Sequence, residues 1–332
     1  MEGEIPGAIP ENGIKGVGLA LGSGLAKGFA HIGVLKVLNR YGIVPSTVAG
    51  TSMGAVVGGC YLAGKLEELE EWSTSLTRLN IFYYLDFRVR SAGLIGGNKL
   101  TKLLDEHFGE MMIEELPHPF IAIAADLKTG HEVWLRKGKL QHALRASFAL
   151  PGVFPPVEFG HRFLLDGALV NPVPVSCCQA MGSRMTIAID LNADLIGKAA
   201  DPDKKYQKIA GFDVFDDQEV EPEDQGIFKR SGLSKRLFRR EENSPSLFGV
   251  MVSALNIMQD RLTRSRLAGD PPAVHIKPEI GHIGLLEFEK AEELIALGEE
   301  AALKAMPEIK AAMEVLLSPV ELEKFYKNRK KL

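Results

Sequence analysis

Between Gly16 and Lys65 the chain alternates two short apolar runs with two helix-like segments, and glycine marks every junction. "GVGLALGSG" is an apolar run ending in glycines, which suits a buried strand entering a turn. "AKGFAHIGVLKVLNRYG" follows, with Phe29, Ile32, Val34, Leu35 and Leu38 at near-helical spacing and Gly42 as a stop. "VPSTVAG" is a second short strand and "MGAVVGGCYLAGK" a second apolar helix. Strand, helix, strand, helix is the repeating unit of a parallel sheet with helices on its faces, so this stretch commits the chain to an α/β architecture.

The rest of the chain continues the pattern. "KLEELEEWSTSLTRL" and "NKLTKLLDEHFGEM" read as amphipathic helices. "FIAIAADLKTGHEVWLRKG" reads as strand, turn and strand, turning at Lys128-Thr129-Gly130. "QHALRASFAL" is a helix stopped by Pro151-Gly152, and "RFLLDGALV" and "MTIAIDLN" are further strands. "LFGVMVSALNIMQDRLTRSRLAG" is a long helix, "AVHIKP" a strand, and Glu287 to Val315 another long helix. No seam divides these segments. The expected organisation is a tail over residues 1–14 and one α/β domain over 15–332, with its motif-bearing core at about 16–175.

Residues 198–244 differ in character. "FDVFDDQEVEPEDQ" carries seven acids, and "FKRSGLSKRLFRREE" carries six lysines and arginines before its final acids. Opposed charge blocks with little apolar content read as a solvated or disordered loop. The basic run at 229–240 interleaves with Phe228, Leu233, Leu237 and Phe238, and contact with an anionic membrane surface is its functional reading beside that of a solvated loop.

Composition matters mainly for what it excludes. The formal net charge is -4, without the basic footprint of a nucleic-acid-binding protein. Three cysteines, Cys60, Cys177 and Cys178, make a poor disulfide framework and contain no Cys-x-x-Cys pair. The first residues lack the basic start and apolar run of a signal peptide, and no segment has 18 consecutive apolar residues. The expected location is the cytoplasm, with peripheral membrane contact through the basic run.

Three local signals carry chemistry. The first is Gly22-Ser23-Gly24-Leu25-Ala26-Lys27-Gly28, between a strand and a helix. Such a loop frees backbone N–H groups to face negative charge. A dinucleotide cradle, an oxyanion hole and a plain tight turn all use this arrangement. The spacing is off the dinucleotide fingerprint, and the second strand ends in Val48-Ala49-Gly50 without the acid that would hold a ribose. The second signal is Gly50-Thr51-Ser52-Met53-Gly54, a Gly-x-Ser-x-Gly between a strand and a helix, where a nucleophile elbow belongs. The third is Asp166-Gly167-Ala168 at the end of an apolar run. A carboxylate there is costly unless paired or functional, although a turn opened by Asp166 with Gly167 is the plainer reading. A general base at Asp166 calls for an apolar surrounding that raises its pKa from about 3.9.

A histidine base following the acid is what an ordinary Ser-Asp-His hydrolase requires. Only His275 and His282 lie after Asp166, and neither has a catalytic-looking flank. His31, inside the first helix, reads as a packing or hydrogen-bonding residue.

Taken in order, "GLALGSGLAKGFAHIGVLKVL", "VAGTSMGAVVGG" and "FLLDGALVNPVPV" resemble the patatin-like phospholipase family of the bacterial and archaeal kind. "GLIGGNKL", "IAIAADLKTGHEVWL" and "RASFALPGVFPPV" between them resemble it too, so the likeness runs from about Gly16 to Val175, and the C-terminal "DPPAVHIKPEIGHIGLLEFEKAEELIALGEEAA" resembles many bacterial members. The resemblance implies a three-layer α/β/α fold with a central, mainly parallel sheet. It implies a Ser-Asp dyad without histidine: Ser52 as nucleophile and Asp166 as general base, within the motif completed by Gly167 and Ala168. Gly50 and Gly54 frame the elbow. Gly22, Gly24, Leu25, Lys27 and Gly28 form the oxyanion loop, with donors around Gly24 and Leu25. Many members have three consecutive glycines there, and Ser23 and Leu25 depart from that pattern, but a backbone donor survives a change of side chain.

The implied activity is hydrolysis of lipid acyl esters, of phospholipase A, lysophospholipase or esterase type, with no metal or cofactor. Acyl transfer or thioester hydrolysis on the same dyad, and non-catalytic lipid binding, are the alternatives. "IFYYLDFRV" and "GLIGG" are candidates for an acyl channel or lid, or equally for ordinary core and loop.

Overall fold

The computed structural model describes residues 14–77, 98–193 and 247–323. The N-terminal tail, the "IFYYLDFRV" and "GLIGG" stretches and the charged segment with its basic run lie outside the described residues.

An eight-stranded sheet runs in the order β5-β6-β3-β2-β1-β7-β8, with β4 pairing with β3 off this path. The strands are β1 (Ile14–Leu21), β2 (Pro45–Thr51), β3 (Phe120–Asp126), β4 (Glu132–Leu135), β5 (Val157–Phe159), β6 (Arg162–Asp166), β7 (Met185–Ile189) and β8 (Val274–Ile276). The pairings β3-β2, β2-β1, β1-β7 and β7-β8 are parallel, while β4 and β6 join β3 antiparallel and β5 pairs antiparallel with β6. The helices are α1 (Ala30–Arg40), α2 (Met53–Leu62), α3 (Leu66–Thr74), α4 (Asn98–Phe108), α5 (Leu140–Ser147), α6 (Val175–Ala180), α7 (Leu247–Gly269) and α8 (Ala291–Leu316).

Strand residues point alternately to the two faces, and both faces are covered. Leu19, Leu21, Val48, Ile187 and Ile189 join a large core with α1, α2, α5 and α8. Their neighbours Ala20, Ala49, Ile121, Ile123 and Ala188 join a smaller core against Val175, Cys177 and Cys178 of α6. Burial on both sides is why β3 and β7 are continuous apolar runs rather than alternating ones. The architecture is the expected three-layer α/β/α fold with a mainly parallel sheet.

One local expectation changes, and two short elements appear that the sequence patterns do not assign. "RFLLDGALV" is not strand throughout: β6 stops at Asp166, and Gly167–Leu169 is a 3-10 turn capped by the Asp166 side chain. β5 precedes it as half of a hairpin, three residues long behind Pro155-Pro156 and too short to read from periodicity. α6 is likewise only six residues. Pro174 stands at its N-cap, before the first turn, where a missing N–H costs the helix nothing.

Candidate functional site

The three motifs meet at the carboxyl ends of β1 and β2. Leu21 pairs with Gly50 across these strands, so the loop after β1 and the turn after β2 leave the sheet side by side. This end of an α/β sheet is where ligands ordinarily bind. Antiparallel β6 brings Asp166 opposite Ala124 of β3, next but one to β1 in the sheet.

Ser52 sits between β2 and α2 with φ 58° and ψ -125°. Among the described residues only two non-glycine residues have positive φ, Ser52 and Leu25 at 49°, and both belong to this site. Such geometry costs on the order of 1–3 kcal/mol and persists only where the surroundings over-determine it. The surroundings here are close-packed. A side chain at Gly54 would run into the carbonyl oxygens of Leu21 and Gly22, and one at Gly28 into Met53. These two glycines therefore let the elbow and the loop touch. Gly50 lies near the end of β2, and Gly167 opens the 3-10 turn.

The Ser52 hydroxyl donates to Asp166 Oδ2 at 2.6 Å. Asp166 Oδ1 accepts the Ala168 N–H at 2.8 Å, which fixes the carboxylate plane. Asp166 is 1% exposed and Ser52 2%. Burial pushes the Asp166 carboxyl up to about 7, against the opposing pull of the hydrogen bonds from Ser52 and Ala168. The apolar surrounding required of a base at this position is therefore present.

Gly22 N–H donates to Ile189 O, Ser23 N–H to Pro172 O, Ala26 N–H to Leu285 O and Lys27 N–H to Gly24 O. Among the described residues the N–H groups of Gly24 and Leu25 have no acceptor, and both residues line the cleft that contains Ser52 and Asp166. Lys27 is buried within the 3-10 turn that follows (Leu25–Phe29). His31 Nε2 donates to Gly22 O at 2.8 Å, and burial lowers its pKa to about 4, so the ring is neutral and braces the loop. His275, on β8, faces Asp190 at 3.4 Å, and His282 pairs with Glu293 at 2.8 Å near the surface. Neither lines the Ser52 cleft.

Tertiary structure adds residues that the motifs do not mark. Ser147, the last residue of α5, is fully buried, and its Oγ accepts the Ser52 N–H at 2.9 Å. Thr51 Oγ1 donates to Asn171 O at 2.7 Å. Asn171 Nδ2 in turn donates to Glu132 Oε1 at 2.9 Å, which also accepts Trp134 Nε1 at 2.7 Å. Glu132 Oε2 accepts from Arg266 of α7 at 3.0 Å. Signals for these residues were slight: Ser147 lies in a family-like stretch, but nothing in its spacing aims it at Ser52.

The cleft is narrow, with about 20 Å³ of space open to a water-sized sphere. Ser23, Gly24, Leu25, Leu150 and Leu285 form its sheet side, and Val252, Leu255, Asn256 and Gln259 of α7 close it from above. Ser23 Oγ donates to Gln259 Oε1 at 3.4 Å, a long contact linking the loop to that helix. The arrangement brings the Ser52 hydroxyl, the buried Asp166 carboxyl and the free Gly24 and Leu25 N–H groups to one small space with mixed polar and apolar walls. Among the described residues no group of three or more His, Cys, Asp or Glu is placed to hold a metal ion, and no helix is long and apolar enough to cross a membrane.

Residues 19–176 match the family model described as patatin-like phospholipase. An NTE family protein of Mycobacterium tuberculosis is 35% identical over 330 residues, covering 87% of this chain and 91% of that protein. A second NTE family protein of the same organism is 28% identical over 304 residues, covering 89% of this chain and 48% of that one. The neuropathy target esterase sws of Drosophila melanogaster is 31% identical over 185 residues, covering 53% of this chain and 13% of its own.

Proposed function

Because the chain belongs to the patatin-like phospholipase family, we propose that it is a serine acyl hydrolase of lipid esters in which Ser52 and Asp166 do the chemistry. Lipid acyl hydrolysis is the activity that membership implies. The observation that carries the assignment of residues is the 2.6 Å hydrogen bond from a backbone-strained Ser52 to a buried Asp166.

Ser52 Oγ attacks the ester carbonyl as its proton moves to Asp166 Oδ2. The carbonyl oxygen becomes an oxyanion, for which the Gly24 and Leu25 N–H groups are the donors at hand. The N-terminus of α2, which begins at Met53, adds favourable potential beside the nucleophile. Collapse of the tetrahedral intermediate breaks the ester C–O bond, and the leaving alkoxide takes the proton from Asp166. Water then attacks the acyl-enzyme, giving its proton to the same carboxylate, which returns it to Ser52 as the fatty acid leaves. A carboxyl held near 7 changes protonation close to neutral pH, which suits a group that must accept and then donate.

Leu25, Leu150, Val252, Leu255 and Leu285 offer the acyl chain an apolar wall. The test is covalent labelling with a fluorophosphonate probe together with hydrolysis of a panel of phospholipids, lysophospholipids and simple esters. Wild type labels and turns over, while Ser52→Ala does neither. Equal labelling of Ser52→Ala refutes the assignment. Product analysis with added alcohol or thioester donors separates hydrolysis from acyl transfer and thioester cleavage.

A further inference from the structure

Helix α7 has two faces of opposite character. Its inward face carries Val252, Leu255 and Gln259 onto the cleft, followed by buried Thr263 and by Arg266 on Glu132. Its outward face, at spacings of three, four and seven residues, carries Val250, Ala254, Ile257, Met258, Arg261, Arg264, Ser265 and Ala268. Val250 is 48% exposed and Ile257 and Met258 are each 60% exposed. The outward stripe is apolar for its first two turns and basic over the next, and it contains no acid. The buried carboxylate of Asp260 neutralises Arg264, leaving Arg261 as the charge on the stripe without an ion-pair partner among the described residues.

Large aliphatic side chains exposed together on one helix face, rather than scattered, mark an interaction surface. A helix with an apolar stripe, flanking arginines and no acid fits the interface of an anionic bilayer, where the apolar side chains enter the acyl boundary and the cations meet phosphate. We infer that the outward face of α7 docks on an anionic lipid surface through Val250, Ile257 and Met258, with Arg261 engaging the head groups. One helix would then touch the lipid on one side and wall the Ser52 cleft on the other, so that an acyl ester leaving the bilayer has one helix diameter to cross, roughly 10 Å. This placement gives the lipid-ester reading its source of substrate and rests on that reading for its purpose. The docking itself is independent of catalysis.

The experiment measures co-flotation of the full chain with vesicles of phosphatidylcholine alone and of phosphatidylcholine with 30% phosphatidylglycerol. Ser52→Ala protein is used throughout, so that hydrolysis plays no part. Binding is expected to be stronger to the anionic vesicles and to weaken with salt. Ile257→Glu/Met258→Glu is expected to lower it at least tenfold, and Arg261→Gln about fivefold on the anionic vesicles only. Ile257→Trp, which suits the head-group boundary, tightens it several-fold and guards against mere misfolding of the acidic variant. Thermal melts of every variant are compared with wild type. Undiminished binding by a folded Ile257→Glu/Met258→Glu protein overturns the inference, as does absence of binding by the Ser52→Ala protein with an unaltered α7. So does a dimer, found by light scattering without vesicles, that the same substitutions dissociate. Loss of esterase activity in wild type with vesicle binding intact would count against the proposed chemistry and leave the docking standing.

Discussion

The sheet side of the cleft and its helical roof are held by different forces. On the sheet side, the dyad and loop groups have short, buried hydrogen bonds: Ser52 to Asp166 at 2.6 Å, Ala168 to Asp166 at 2.8 Å and His31 to Gly22 at 2.8 Å. Two residues are held at positive φ, and glycines allow backbone to touch backbone. On the roof, among the described residues, α7 reaches the loop through a 3.4 Å contact from Ser23 to Gln259 and the rest of the body through apolar side chains and Arg266. Under the proposed chemistry, the difference separates two tasks. Positioning of reacting atoms needs a rigid frame, and admission of a substrate needs a wall that separates at low cost.

Substitutions can break this comparison where the frame is strongest. Asp166→Asn keeps the shape of the side chain and removes the base, so kcat on a soluble ester falls by about 10²–10⁴-fold or more. In wild type, kcat/KM rises with pH toward a plateau, with a midpoint near the Asp166 value of about 7. A rate profile flat from pH 5 to pH 9 contradicts the role given to this carboxyl.

The same group links pH to stability. Its folded pKa lies above its unfolded one, so the folded state binds the proton more tightly and stability is lost as pH rises from about 4 to about 7. Asn at position 166 escapes this cost. The stability gained by Asp166→Asn over wild type therefore grows by about 2–3 kcal/mol between pH 5 and pH 8, read from denaturant unfolding at each pH. His31 acts in the opposite direction: its depressed pKa means that stability is lost as pH falls from about 6.5 toward 4.

Ser147→Ala leaves the buried Ser52 N–H without its acceptor. It costs about 1–3 kcal/mol of stability, and kcat falls more than KM rises because the elbow, not the acyl wall, is loosened. Equal loss in both parameters assigns Ser147 a general packing role instead. The smallest effect belongs to the roof. Arg266→Gln removes a half-exposed ion pair and lowers stability by about 0.2–1 kcal/mol. Limited proteolysis should cut within α7 sooner, while the rate of fluorophosphonate labelling changes less than about threefold. A collapse of labelling in this variant shows that roof and frame are one unit.

Much of the frame was legible because it is local. A glycine loop after an apolar strand, Gly-x-Ser-x-Gly before a helix and Asp-Gly-Ala after a strand each carry their own backbone requirement, and their order identifies the family. Short elements were not legible: α6 and β5 are stabilised by neighbours rather than by their own periodicity. Ser147, Asn171 and Glu132 were missed because each acts through a partner between 39 and 120 residues away, a distance at which spacing says nothing.

Sequence alone determined the architecture, the likeness to a family and the choice of Ser52 and Asp166 as the residues to propose for its chemistry, because hydrophobic alternation and turn chemistry are properties of neighbouring residues. The tertiary structure decided which histidines stand away from the cleft, which N–H groups lack an acceptor, that Asp166 is buried enough to hold its proton near neutrality, and that α7 roofs the cleft. These are properties of space between elements, where desolvation and packing are fixed by residues that no local pattern connects.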